Sequence, residues 1–315
     1  MDKHPDADTL TRFLLERSGV RGIVVHLDEA WQRIAGRAHY PAEVADRLGE
    51  TCAAAALFTG HAKINGRLSV QLRGTGALRT LFAECTAQDT VRGIAHYAEP
   101  VPSPLTPRAF GEGSLLAITI ESTPPGAREM TRYQGLVGLD ADTLAEAFEG
   151  YFQQSEQLPT RVLLASAGGR AAGLMLQQLP GGHGDADGWD RTNALFETLG
   201  PAELAETPVQ TLLWRLFHEE GVQVLDRKPL AFACSCSRER VGDMLRSLGV
   251  EEARASLQDG VAEVHCDFCG QGYRFEAEQI EALFRKKPTS PAPPGLQCSK
   301  ERGCRCLASR ETVAR

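Results

Sequence analysis

Four of the chain's nine cysteines stand in two tight pairs. One pair is the C-x-C of "ACSCSRERV", with Cys234 and Cys236. The other is the C-x-x-C of "VHCDFCGQGYRF", with Cys266 and Cys269, and 29 residues lie between the pairs. No other feature restricts the chain as much. The stretch from 233 to 286 is too short for a strong hydrophobic core, and two chelating pairs can staple it around a single metal ion. Zinc takes four such ligands at the corners of a tetrahedron, with sulfur about 2.3 Å away. A C-x-x-C knuckle offers two thiolates to one metal without backbone strain, and a C-x-C pair can chelate with less freedom. Cys234, Cys236, Cys266 and Cys269 are therefore the candidate ligands of one Zn2+ per chain in the reduced form.

A closed shell of four cysteines has two uses, and spacing alone leaves both open. It can be purely structural. It can also be a sensor, because the thiolate is the form that oxidants attack and each close pair has a partner for disulfide formation. Oxidation would eject the metal, and the metal-binding free energy is the folding free energy of such a module.

The compartment bears on that choice. The first residues, "MDKHPDADTLTRFLLERSG", are acidic where a basic n-region and an apolar h-region of a signal peptide would stand. No stretch approaches the roughly 20 apolar residues of a membrane helix. The reading is a cytoplasmic protein without a membrane partner, a setting in which clustered thiols bind metal or do redox work. Apolar residues make up 42% of the chain and charged ones 24%, which favours a packed core over disorder. A formal net charge of −7 argues against nucleic acid as the main partner.

The pattern along the chain predicts an α+β fold. Strand-length runs such as "RGIVVHL", "RLSVQLRG", "ALRTLFAECT", "TVRGIAHY" and "LLAITIES" are separated by Gly, Asn and Asp turns and read as antiparallel strands. The Ala-rich stretch after Pro41 reads as a helix, as does "DTLAEAFEGYFQQSEQL", with Leu144, Phe148 and Tyr151 on one face. This core is placed over 1–180, closing at the Gly-rich "PGGHGDADG". A helical linker follows over 181–232, then the zinc domain over 233–286, then a Pro-rich basic tail over 287–315 that is expected to be disordered. The linker carries Trp189, Phe196, Leu213, Trp214 and Phe217 with little core of its own. These residues either pack on the neighbouring domain or form a surface covered only conditionally.

Two other classes compete. A zinc-ribbon that binds nucleic acid would use the same knuckle, but the chain as a whole is acidic. An enzyme with a catalytic zinc would need an open ligand position, which four cysteines fill. A thiol oxidoreductase would place C-x-x-C in a βαβ context, whereas here it reads as a hairpin. The chain is therefore read as not being an enzyme. His265, beside Cys266, could replace a sulfur ligand but reads as a solvent-facing strand residue. Cys52 and Cys85 sit in apolar contexts and read as small core residues. The "GTG" at 74–76 reads as a turn.

The cysteine pattern resembles the zinc centre of the redox-regulated heat-shock protein 33 family, the 33 kDa chaperonins. The resemblance extends beyond "CSCSRERV" and "CDFC" to "RGTGALRTLFAECT", "YFQQSEQLPTRVLLA", "AAGLMLQQLP", "LWRLFHEEGVQVLD" and "FEAEQIEALF", in the family's order from about Thr11 to Phe284. It implies an ATP-independent holdase, off when reduced and zinc-bound and on when oxidised. It implies disulfides Cys234–Cys236 and Cys266–Cys269 in the oxidised form. It also implies unfolded client proteins as partners, a homodimer as the active form, and the bacterial cytoplasm as the setting. The tail departs from the family: Cys298, Cys304 and Cys306 lie beyond the zinc domain, no histidine follows His265, and residues 285–315 carry eight Lys or Arg against two Glu. These thiols are read as outside the zinc centre.

Overall fold

The computed structural model describes residues 5–62, 64–124, 126–127 and 129–285. Cys298, Cys304, Cys306 and the tail from 287, for which the sequence sets expectations, lie outside the described residues. Contacts divide the described chain into two units, one of the described residues up to Arg238 with Val264–Tyr273, the other of Glu239–Glu263 with the described residues from Arg274 on.

The larger unit is built on two sheets. Strands β1 (Thr9–Leu15) and β2 (Val20–Leu27) form a hairpin. After helix α1 (Glu29–Ala35) and the long helix α2 (Ala42–Ala62) come β3 (Gly66–Arg73), β4 (Leu78–Thr86), β5 (Thr90–Tyr97), β6 (Leu115–Ser122) and β7 (Thr131–Gly138). Helix α3 (Leu144–Ser155) leads to the hairpin β8 (Thr160–Ala167) and β9 (Arg170–Gln178), and helices α4 (Gly188–Phe196), α5 (Pro201–Glu206) and α6 (Val209–Phe217) lead to β10 (Val222–Pro229) and β11 (Ala231–Phe232). One sheet has the order β10-β1-β2-β9-β8 and the other β11-β5-β4-β3-β6-β7. All neighbours are antiparallel except the short β11, which pairs parallel with β5.

Helix α2 touches strands of both sheets. Its run Ala53–Ala56 is fully buried and carries no side chain beyond Cβ, so the backbone can lie close to its neighbours. The sheets answer with glycines: a Cβ on Gly93 of β5 would stand 2.6 Å from the Cys52 sulfur, and one on Gly173 of β9 would stand 2.6 Å from Leu57 Cδ1. Helix α3 starts on a capping box, Thr143 with Glu146, and sets Phe148 and Phe152 edge-on against Phe58, with centroids 5.1 and 4.9 Å apart. Helix α1 is held at its start by Asp8, whose carboxylate accepts from the backbone N–H groups of Asp28, Glu29 and Ala30.

The far face of the five-stranded sheet has its own core. Phe13, Leu15, Val20, Val24, Leu174 and Leu176 meet Phe196, Leu204, Leu212, Leu213 and Phe217 from the segment after Pro180. Burial on both faces explains why β2 and β9 are apolar almost without alternation. The chain therefore does not leave the sheet at the Gly-rich stretch, where the sequence places the end of the first domain. That stretch is fixed to the β1–β2 turn by Leu179 N–H to Gly19 O (2.9 Å) and Asp185 N–H to Arg17 O (2.7 Å), and β10 then returns as the partner of β1. The physical reason is that β1 would otherwise be an open edge.

The smaller unit carries helices α7 (Arg238–Leu248), α8 (Val250–Ala255) and α9 (Ala277–Phe284) and the base of a two-stranded hairpin of β12 (Val261–His265) and β13 (Gly272–Glu276), whose residues from Val264 to Tyr273 belong to the larger unit. Its buried apolar side chains are few: Val241, Leu245, Ala253, Ala262, Phe275 and Ile280. Leu248, which shares the helical face of Val241 and Leu245 by spacing, is exposed. An ion pair from Arg254 to Glu281 and a hydrogen bond from Arg246 Nε to the Leu283 carbonyl tie the helices together.

Candidate metal centre

Two local structures deliver the four cysteines. The parallel bridge of β11 to β5, with Ala231 opposite Thr90 and Phe232 opposite Val91, lays the C-x-C segment along the edge of the six-stranded sheet. The hairpin of β12 and β13 carries the C-x-x-C at its tip, where Cys266 N–H reaches the Gln271 carbonyl and Gly270 N–H reaches the Cys266 carbonyl at 2.7 Å. Gly270 takes a φ of 68°, the left-handed conformation that closes the turn.

All four Sγ atoms lie within 4.8 Å of one another, and among the described residues they form the one such cluster of metal-binding groups. Cys234 and Cys266 are 3.6 Å apart, Cys236 and Cys269 3.3 Å. A tetrahedron with metal–sulfur bonds of about 2.3 Å has edges of about 3.8 Å, so the sulfurs fit one zinc-sized ion. The donor set is all sulfur, which suits a soft or borderline metal and not magnesium or calcium.

The charges around the site also ask for a cation. Burial acts to raise the Cys236 thiol, but hydrogen bonds from the Tyr273 hydroxyl (3.1 Å) and the neighbouring thiols outweigh it and bring it to about 7. Cys269 is pushed up to about 12, first by burial and then by its hydrogen bonding to the other thiols, and burial raises Cys234 too. Tyr273 rises to about 12 through its bond to Cys236. One thiolate is thus sheltered at the expense of its neighbours, since like charges this close cannot all form unaided. A bound dication removes that obstacle.

The remaining sequence candidates separate cleanly. Cys52 and Cys85 are buried in the core, and burial pushes both thiols up, Cys85 to about 12. His265 is exposed on β12 and the metal-sized cluster does not include it. The "GTG" turn docks by the Gly76 N–H on the Phe110 carbonyl at 2.8 Å. Of the linker residues, Phe196, Leu213 and Phe217 are buried against the five-stranded sheet and Trp189 is half-buried, while Trp214 is 66% exposed and stacks on His218.

The structure adds residues that sequence reasoning missed. Arg92 of β5 sends Nη1 towards Cys234 Sγ at 3.8 Å, pairs with Glu84 at 2.9 Å, and sets its guanidinium 4.4 Å from the centre of the Phe268 ring. Phe268 in turn meets Phe82 of β4 edge-on, with centroids 5.5 Å apart. The aromatic inside "CDFC" and the tyrosine four residues past Cys269 were visible signals. Arg92 gave none, because only the β11–β5 bridge brings it to Cys234.

A family model described as "Hsp33 protein" matches residues 8–276. The chain is 41% identical over 278 residues to a "33 kDa chaperonin" of Chromobacterium violaceum, covering 88% of this chain and 94% of that one. It is 42% identical over 282 residues to the "33 kDa chaperonin" of Hahella chejuensis, covering 88% and 97%. The crystal structure of the Thermotoga maritima 33 kDa chaperonin superimposes with a TM-score of 0.74 at 22% identity, over 88% of this chain and 97% of that chain, and shares the fold.

Proposed function

The chain belongs to the Hsp33 family of chaperones and is not an enzyme, and on that premise we propose that it is an ATP-independent holdase switched on by oxidation of a zinc centre. The observation that carries this reading is the all-sulfur cluster, with four thiols inside 4.8 Å. Cys234, Cys236, Cys266 and Cys269 hold one Zn2+, which supplies the positive charge that keeps all four as thiolates. With no open position for water, the centre has no catalytic role for a metal.

The thiols then act as the sensor. Each pair gives two electrons to a peroxide and forms a disulfide, Cys234 with Cys236 and Cys266 with Cys269. Two peroxides and four protons become four waters, and the metal ion is released. Cys234 lies 3.6 Å from Cys266 and Cys236 3.3 Å from Cys269, and all four sulfurs lie within 4.8 Å, so the sequence-neighbour pairing is within reach of a small rearrangement. With the staple gone, residues 233–286 lose the free energy that held them folded. Helices α4–α6 follow, baring Trp189, Phe196, Leu213 and Phe217 beside the already exposed Trp214. Each large apolar side chain uncovered is worth roughly 1.5–3 kcal/mol, and such a patch binds unfolded protein. Unfolded clients are the partners, a homodimer is the active form, and the bacterial cytoplasm, with neither nucleic acid nor membrane as partner, is the setting.

Mapping of disulfides by mass spectrometry after peroxide, with released zinc read by a chromophoric chelator, tests this reading. It expects the two sequence-neighbour disulfides and one zinc per chain. Zinc retained after all four thiols have reacted is the opposing result.

A further inference from the structure

The outer face of the six-stranded sheet holds an aromatic ring that belongs to the metal knuckle. On β4, Leu81 and Ala83 point into the core shared with α2, so Phe82 and Glu84 between and beyond them point away from it. The register sets Ile94 of β5 opposite Phe82 and Arg92 opposite Glu84. These four side chains make a small site: an aromatic edge, an aliphatic neighbour that is itself buried, and a guanidinium held in place by a carboxylate 2.9 Å away. Phe268 lies against two of them, with the Arg92 guanidinium 4.4 Å from its ring centre and Phe82 at 67° to its plane.

Phe268 is not a core residue. It is half-buried and lies between Cys266 and Cys269, so its position depends on the turn that those cysteines close. Both of its ring contacts are directional. A guanidinium over a ring face and an edge-to-face ring pair reward an aromatic side chain and give an aliphatic one of similar size much less.

We infer that Phe82, Ile94, Arg92 and Glu84 form a binding site for one aromatic side chain of an unfolded client, occupied by the chain's own Phe268 until the knuckle opens. The knuckle thus acts as an internal stand-in for a client segment. The site gives the holdase a preference among unfolded chains for those rich in Phe, Tyr and Trp. The inference rests on the proposed oxidative opening for its timing, but the site itself can be tested without oxidation.

The test uses the full-length chain, zinc-loaded and kept reduced, with Phe268→Ala to vacate the site. The probes are fluorescein-labelled Gly/Ser peptides that differ only in carrying Phe or Leu, and binding is read by anisotropy. The vacated protein binds the Phe peptide about tenfold tighter than the unsubstituted reduced protein does, with no such gain for the Leu peptide. Adding Arg92→Met to Phe268→Ala abolishes the gain. No gain, an equal gain for both peptides, or a gain that survives Arg92→Met overturns the inference. Zinc content is measured on the same samples. Should Phe268→Ala lose its metal, Phe82→Ala in the oxidised chain decides: the Phe peptide weakens about tenfold and the Leu peptide does not, and the site is wrong if both are unchanged. The unsubstituted chain with and without peroxide runs alongside. If peroxide fails to raise its client binding while Phe268→Ala still gains, the redox reading falls and the aromatic site stands. The reverse pattern discards the site and keeps the switch.

Discussion

Phe13 of β1 and Phe217 of α6 stack with ring centroids 6.3 Å apart and planes 25° from parallel, and neither is exposed to solvent. The pair joins the first strand of the five-stranded sheet to the last helix laid over it, so it reports on whether that helical layer is seated. Replacing Phe217 with Ala leaves a void between two elements that cannot close around it, at a cost of about 3–5 kcal/mol. Thermal unfolding should show that loss. Under the proposed function, the reduced zinc-bound variant should also suppress client aggregation in part without peroxide.

The same layer is held by charge. Arg191 of α4 donates to Glu220 from Nε at 2.6 Å and Nη2 at 2.9 Å, and Ser18 in the β1–β2 turn donates to the same buried carboxylate. The hydrogen bonds from Arg191 hold Glu220 below its ordinary value of 4.5, even though burial acts the other way. A carboxyl depressed in the folded state stabilises above its unfolded value and loses that contribution as pH falls through the folded one. Amide protection across α4–α6, corrected for the intrinsic exchange rate at each pH, should therefore fall as pH drops below about 4.5. Arg191→Met should weaken this layer already at neutral pH and flatten that acid dependence. An unchanged profile in the variant would mean that another group controls it.

Burial on both sides explains what the sequence made legible and what it did not. Strand β3 alternates, and β3 to β6 were all legible as strand-length apolar runs set off by Gly, Asn and Asp. The position of α2 between two sheets is written in Ala53–Ala56 and in the glycines it faces, but a run of alanine also reads as an ordinary helix. The seat of β10 could not be read, because strand pairing across more than two hundred residues leaves no local mark. The cluster of four cysteines was legible because two close pairs of one ligand type leave a local mark in the sequence. The residues around it were not: Arg92 and Phe82 are placed by sheet register, a property of the assembled fold.

Core burial makes a prediction about reactivity. Cys52 and Cys85 are at most 1% exposed, and burial raises both thiols well out of the range in which thiolate forms at neutral pH. Alkylation of the native protein, mapped by mass spectrometry, should leave these two unmodified until the core unfolds. Rapid labelling of either would show that the core around α2 opens locally.

The ligand set makes another. The double variant Cys266→Ser and Cys269→Ser should lose zinc, and Cys234→Ser or Cys236→Ser alone should weaken it severely. The core around Phe58, Phe148 and Phe152 involves none of these side chains and should keep its cooperative melt after a chelator removes the metal. Truncation after residue 287 should leave the zinc stoichiometry and the response to peroxide intact. A truncated chain that loses zinc would bring Cys298, Cys304 or Cys306 into the centre.

The central claim joins metal, thiol state and client binding, and one paired measurement tests all three. Zinc released per chain is followed with a chromophoric chelator while light scattering follows aggregation of an unfolding client, in one sample taken from reductant into peroxide and back into reductant with zinc. The account predicts that the reduced protein carries one zinc and leaves the client to aggregate, that peroxide releases the zinc and suppresses aggregation in step without nucleotide, and that both changes reverse. A reduced, zinc-loaded chain that protects the client as well as the oxidised one would contradict it.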